Sequence, residues 1–273
     1  MPLSERQLAA FSDKHAWQIP FDTTPRHLAG PGDARHVTHG LAAAGWTHTS
    51  DPLSPEIVLH SPDHRHTLRF DPQSATWAWW RLRAEPTGTE PGWYAEFGEL
   101  VPAEIIGHLA DALIGPVPVD QTDVLQVLRE ASWATGEQGT AHSPDGMCRL
   151  KPRYLDGHAA PSWRVETREH GHGGYDGPLI WYASFDSHTP SHLVNAFVTA
   201  LADPTPLQRA MGDRTAHYTA VKSPSPLRPE QIVKAHTDRL KTIRATVRAS
   251  HRQNSKPSTS PATPTAARPA ARR

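Results

Sequence analysis

The chain has 273 residues, a formal net charge of zero, 37% hydrophobic residues and one cysteine, Cys148. That length suits two small domains, the lone cysteine excludes an intramolecular disulfide framework, and no apolar run reaches the roughly 18 residues of a membrane span. The charge is uneven: residues 1–203 hold 14 Lys and Arg against 25 Asp and Glu, whereas residues 204–273 hold 14 against 3.

Residues 1–32 read as a lead-in. The start, MPLSERQLAAFSDKHAW, has no apolar stretch of the secretory kind, and the single cysteine suits a reducing cytosol, so a cytoplasmic protein is expected. Leu8 to Phe11 are spaced for a helical turn. Pro20, Pro25, Gly30, Pro31 and Gly32 then break any regular element.

Two similar units follow, over residues 33–115 and 120–203. Each opens on a helix. Val37, Leu41 and Ala44 stand at helical spacing before Trp46, and Val124, Leu128 and Ala131 stand the same way before Trp133. Asp33 and Asp120 precede these helices, placed to cap them or to favour their N-termini by charge. Short strands come next, separated by turn residues. A turn Ser61-Pro62-Asp63 recurs as Ser143-Pro144-Asp145, with Ser and Pro where a type I turn takes them. Trp80-Arg81-Leu82 then matches Trp163-Arg164-Val165. Strand alternation puts the Trp and the aliphatic residue on one face and the Arg on the other.

The clearest repeat closes each unit. Trp93, Tyr94, Phe97, Pro102, Ile105, Leu109 and Leu113 recur 88 residues on as Trp181, Tyr182, Phe185, Pro190, Leu193, Phe197 and Leu201. A strand with alternating faces runs into a proline that fits the first turn of a helix. Thr189 suits an N-cap, while Val101 at the matching place does not. The predicted fold is α+β: two tandem repeats, each a helix, about five antiparallel strands and a helix. Burying one indole removes roughly 150–250 Å² from water, worth about 4–6 kcal/mol of transfer energy. Trp46, Trp80, Trp93, Trp133, Trp163 and Trp181 are therefore expected to anchor cores and not to line a ligand site.

Residues 204–228 carry Pro204, Pro206, Pro224 and Pro226 and read as a linker. From Pro229 to Ser250 a basic helix is predicted. Its stripe of Val233, His236, Leu240, Ile243 and Val247 spans only about two heptads, short for a free-standing coiled coil. Docking onto the body is expected, with weak self-association as the alternative. Residues 251–273 are Ser, Pro, Thr, Ala and Arg, a composition that predicts disorder.

The doubled Ser-Pro-Asp turn, the PRHLAGPGD lead-in before a helix ending in Gly-Trp, and the Trp-Tyr strand leading to a proline-started helix resemble the actinobacterial SPDY-motif family. That family is a domain of unknown function usually found in two copies. The resemblance implies tandem domains over about residues 24–203 and supplies no catalytic residue. At the motif's fourth position this chain has His64 and Gly146 in place of Tyr.

Candidate chemistry is sparse. His60, Ser61 and Asp63, and again His142, Ser143 and Asp145, contain the residue types of a hydrolytic triad but are nearly contiguous, as in a turn. His64 and His66, or His170 and His172, lack the spacing of a structural zinc site. No catalytic residue, metal or cofactor is assigned. The binding candidates are basic: Arg69 with its counterpart Lys151, Arg81 with Arg164, and Lys234, Arg239, Lys241, Arg244 and Arg248 of the C-terminal helix. A non-enzymatic interaction protein with an unidentified protein partner is the first expectation. Nucleic-acid binding through the strand arginines, the basic C-terminal region or both is the alternative.

Overall fold

A computed structural model describes residues 4–49, 51, 54–119, 123–154, 160–173 and 175–254. The first repeat is helix α2 (Arg35–Ala43), strands β2 (Thr47–His48), β3 (Ile57–His60), β4 (His66–Phe70), β5 (Ala78–Ala84) and β6 (Trp93–Gly98), and helix α3 (Ala103–Ile114). The second is helix α4 (Val124–Glu130), strands β7 (Ala134–Thr135), β8 (Ala141–His142), β9 (Cys148–Arg153), β10 (Ser162–Arg168) and β11 (Leu179–Phe185), and helix α5 (Ser191–Ala202). Each unit thus has the predicted helix, five strands and helix. Asp33 accepts the backbone N–H of Arg35 at the start of α2. Asp123 caps α4, and Asp120 lies outside the described residues. Pro102 and Pro190 sit at the N-cap of their helices, and the Thr189 hydroxyl turns instead to Asp186.

The two units share one antiparallel sheet, ordered β2-β3-β4-β5-β6-β11-β10-β9-β8-β7. The junction is β6 against β11, with Ala95 opposite Phe185, Glu96 opposite Ser184 and Phe97 opposite Ala183. Glu96 and Ser184 are repeat counterparts, so a local twofold axis passes between them. Helices α2, α3, α5 and α4 pack side by side over one face. Alternation sends Trp93, Ala95, Phe97, Trp181, Ala183 and Phe185 under those helices. Phe97, Phe185 and Phe197 meet there with ring centres 5.3–5.6 Å apart. Trp46, Trp80, Trp93, Trp133 and Trp181 are buried, and Trp163 is half-buried against the same core.

Two segments depart from expectation. The lead-in forms a three-turn helix, α1 (Glu5–Ala16), with a capping box between Ser4 and Gln7. It continues into strand β1 (Pro20–Thr24) and a 3₁₀ turn over Arg26–Leu28. The stretch read as a linker supplies β12 (Leu207–Ala210) and β13 (Val221–Pro224), which flank β1 in a second, three-stranded sheet. The prolines hid these strands. They stand at strand ends, where a missing N–H costs the ladder little. Arg209 of β12 locks this sheet to α3 by two bonds to the Glu104 carboxylate, at 2.6 and 3.0 Å, and also donates to the carbonyls of Ala29 and Gly30.

Helix α6 (Pro229–Asn254) docks on α1 and α2 as a further layer. His236, Leu240 and Ile243 are buried, and Val247 packs on the core. The apolar stripe is thus used within the chain, as the docking expectation requires. The expected disorder of the tail falls largely on residues 255–273, outside the described residues, while residues 251–254 continue the helix.

His236 stacks on Phe11 with centroids 4.0 Å apart, and its Nε2 lies 3.2 Å from His39 Nδ1. Burial, added to neighbouring positive charge, lowers His236 to about 3 and His39 to about 4, and burial lowers His36 beside them against the opposing pull of Glu104 and Asp33. The unfolded chain binds protons at these rings near pH 6.5, and the folded chain resists them. Stability from these rings is therefore complete above about pH 6.5 and falls as the pH drops toward 4, by about 1.4 kcal/mol per unit each for His236 and His39. Thermal unfolding between pH 7 and 4.5 is expected to show this fall. His236→Phe, which keeps a ring on Phe11, is expected to make it shallower, with the part due to His39 and His36 remaining. A midpoint constant across that range would contradict the assignment.

Candidate functional site

Among the described residues the sheet's other face carries no helix layer. Its charged strand residues are Arg69, Arg81 and Arg83 in the first repeat and Arg149, Lys151, Arg153, Arg164 and Arg168 in the second, against Glu96 and Glu166. This face is basic although residues 1–203 as a whole, with 14 Lys and Arg against 25 Asp and Glu, are acidic.

Register puts the four strand cations singled out above into one row. Arg69 faces Arg81, Arg81 faces Glu96, Glu96 faces Ser184, Ser184 faces Arg164, and Arg164 faces Lys151. The twofold axis relates one half of the row to the other. With strands about 4.8 Å apart, the five steps from β4 to β9 span about 24 Å. Like charges directly opposite one another destabilise a sheet, and this row has two such pairs. Local carboxylates offset part of that repulsion: Glu56 holds Arg69 at 2.7 Å, and Glu166 receives Arg164 at 2.7 Å and Lys151 at 2.9 Å. Arg81 is held by the hydroxyls of Ser74 and Thr76.

Glu166 is the hub of the second half. Its residue is 2% exposed, and Arg149 and Arg168 join Lys151 and Arg164 around it. Burial alone would raise its pKa. The hydrogen bonds from Arg168, Arg164, Lys151 and Arg149 outweigh burial and hold it far below the carboxylate range. Asp176 takes a further contact from Arg149. Four cations thus share one buried carboxylate and one exposed one.

At the axis, Tyr94 donates to Glu96 at 2.9 Å, and Tyr182, its repeat counterpart, also bonds Glu96. Burial and the carboxylate push both phenols up to about 12. The Arg164 guanidinium lies 4.3 Å from the centre of the Tyr182 ring. At one end of the face, Trp77, Trp79, Ile180, Tyr182, Arg214 and His217 line a cleft of about 510 Å³.

Helix α6 does not join this face, because it stacks on the helix layer. Arg239 is a clamp: it pairs with Asp111 at 2.6 Å and donates to the carbonyls of His36 and Gly107. Lys234 and Lys241 both pair with Asp238. Arg248 is exposed and Arg244 half-buried on the same helix. The helical cations therefore do not extend the strand row into one continuous stripe.

The Ser-Pro-Asp segments are turns. Ser61 Oγ donates to Asp63 at 2.5 Å and accepts the N–H of His66, and Ser143 Oγ donates to Asp145 at 2.5 Å and accepts the N–H of Cys148. Each serine proton goes to a carboxylate, not to a histidine base, so the triad geometry is absent here. The fourth position has positive φ in both turns, +57° at His64 and +71° at Gly146. That backbone region favours Gly over any side chain. Among the described residues no group of three or more His, Cys, Asp or Glu is placed to hold a metal, and no helix is long and apolar enough to cross a membrane.

Sequence reasoning missed Tyr94, Glu96, Arg149, Glu166, Arg168 and Tyr182 as site residues. The signal for the tyrosines was present, since they match at the repeat spacing and alternate away from the buried Trp93 and Trp181.

Residues 60–119 and 142–207 each match a family model described as SPDY, a domain of unknown function (DUF317). No curated protein and no solved structure matches the chain.

Proposed function

We propose that this chain, which carries two tandem SPDY domains, is a non-catalytic binding protein of the cytosol that holds nucleic acid along the open face of its shared sheet. The observation that carries the reading is the symmetric row of Arg69, Arg81, Arg164 and Lys151, with Tyr94 and Tyr182 between its halves. A sheet that sets cations opposite cations gives up stability, and a phosphate backbone would restore it. About 24 Å accommodates roughly seven nucleotide steps at 3.4 Å each. The aromatic cleft at the end of the face suits a base stacked between rings. The cytosol is inferred from the one cysteine, Cys148, a buried free thiol that burial pushes up to about 12.

The test is binding of a fluorescent oligonucleotide, single- and double-stranded, across a salt series. Four phosphate contacts predict a slope of log K against log salt of about −3 to −4. Arg81→Ala with Arg164→Ala is expected to reduce that slope by about 1.5–2 units. Removal of residues 255–273 is expected to leave it. A cut at residue 204 is unsuitable, because it removes two strands and α6. Binding that ignores salt, or that disappears with residues 255–273 and not with the arginines, would overturn the proposal.

A further inference from the structure

The twofold relation has a second consequence, on the helix side of the sheet. In the second repeat, a segment of the chain's own lead-in fills a hollow between the Ser-Pro-Asp turn, Trp181 and the end of α5. His27 Nε2 lies 2.8 Å from Asp145 Oδ2, and the Trp181 indole N–H donates to the His27 carbonyl at 2.7 Å. Arg26 donates to the carbonyls of Ala200 and Thr205 and pairs with Asp203 at 2.8 Å. Leu28 is 1% exposed beneath them.

The counterparts of Asp145, Trp181, Asp203 and Thr205 in the first repeat are Asp63, Trp93, Gly115 and Val117. All four line open space. One hollow of about 430 Å³ is bounded by Asp63, His66, Leu113 and Ile114, and a neighbouring one of about 500 Å³ by His66, Trp93, Leu113, Gly115 and Val117. His66 and Leu113 are common to both. Among the described residues the Trp93 indole N–H has no acceptor, whereas its counterpart in Trp181 has one. Val117 is 60% exposed at the rim. His66 stands where the second repeat has Cys148, and its ring lies 5.8 Å from Trp93, so it fills part of the space and forms one wall.

We propose that this cleft in the first repeat is a docking site for a short segment of a partner protein with the chemistry of Arg26–Leu28. It would take a basic or imidazole side chain on Asp63, a main-chain carbonyl on the Trp93 N–H, and an aliphatic side chain against Leu113 and Val117. The same fold already binds such a segment once, covalently tethered, and the twofold axis repeats the receptor without repeating the ligand. Gly115 in place of Asp203 removes one carboxylate, so the imidazole and aliphatic positions dominate recognition.

The probe is a capped peptide of residues 23–31 of this chain, TTPRHLAGP, titrated into the full-length protein by calorimetry. One-to-one binding is expected. Val117→Glu, a rim substitution compatible with folding, and Asp63→Asn are each expected to weaken it about tenfold or more. A peptide with His27→Ala and Leu28→Asp is expected to lose binding. Absence of heat at about 1 mM peptide would overturn the proposal. So would binding indifferent to Val117→Glu and Asp63→Asn, because that result would place the peptide in the second repeat in exchange for the native lead-in.

Discussion

Trp181→Ala is expected to destabilise the protein by about 3–5 kcal/mol, measured by urea unfolding. The ring is 1% exposed and sits in the core on junction strand β11. Truncation removes its apolar area and leaves a cavity that flanking strands, held in register on both sides, cannot close. It also removes the donor to the His27 carbonyl, 2.7 Å away, in a segment where His27 itself is 3% exposed. An acceptor left buried without a donor costs about 1–3 kcal/mol more than the lost bond alone suggests. Trp181→Phe keeps most of the volume and loses the N–H, so a smaller cost, about 1–2 kcal/mol, is expected. A change under about 1 kcal/mol for the alanine variant would mean that the ring contributes little to the core.

Glu104→Ala is expected to cost about 3–5 kcal/mol, because it leaves Arg209 charged and buried. The Arg209 side chain is 1% exposed and meets Glu104 through two nitrogens. The pairing with Arg209, after that with His36, overcomes the burial that would otherwise raise the Glu104 pKa, and the net shift is downward. The pair ties β12 to the start of α3, so its loss is expected to loosen the three-stranded sheet first. Arg209→Met with Glu104→Leu is expected to recover part of the cost, as replacement of a whole buried ion pair often does. Recovery is incomplete because the carbonyls of Ala29 and Gly30 also lose their donor. Equal stability of Glu104→Ala and wild type would contradict a structural role for the pair.

The repeat was legible because it is written in large apolar residues at a fixed spacing, and those residues decide the core. Trp93, Phe97, Trp181 and Phe185 alternate and recur, so their burial could be read before any fold was known. The same parity sent Arg81 and Arg164 outward. What could not be read was pairing across long separations. Nothing local in Leu207–Ala210 or Val221–Pro224 announces a strand, because each gains its partner from β1, more than 180 residues earlier. Arg239 looked like a free cation on a basic helix for the same reason, since Asp111 is 128 residues away. Glu166 looked like an ordinary neighbour of Arg164. Strand alternation puts Arg164 and Arg168 on its side, and the register of β9 against β10 adds Arg149 and Lys151 to make four cations.

The most direct test of the binding face is ultraviolet cross-linking of the full-length protein to a single-stranded oligonucleotide, with the adducts located by mass spectrometry. The account predicts adducts on Tyr94 and Tyr182, in peptides from β6 and β11, and their loss when Arg81 and Arg164 are replaced. Adducts confined to α6 or to residues 255–273, with both tyrosines unmodified, would contradict it.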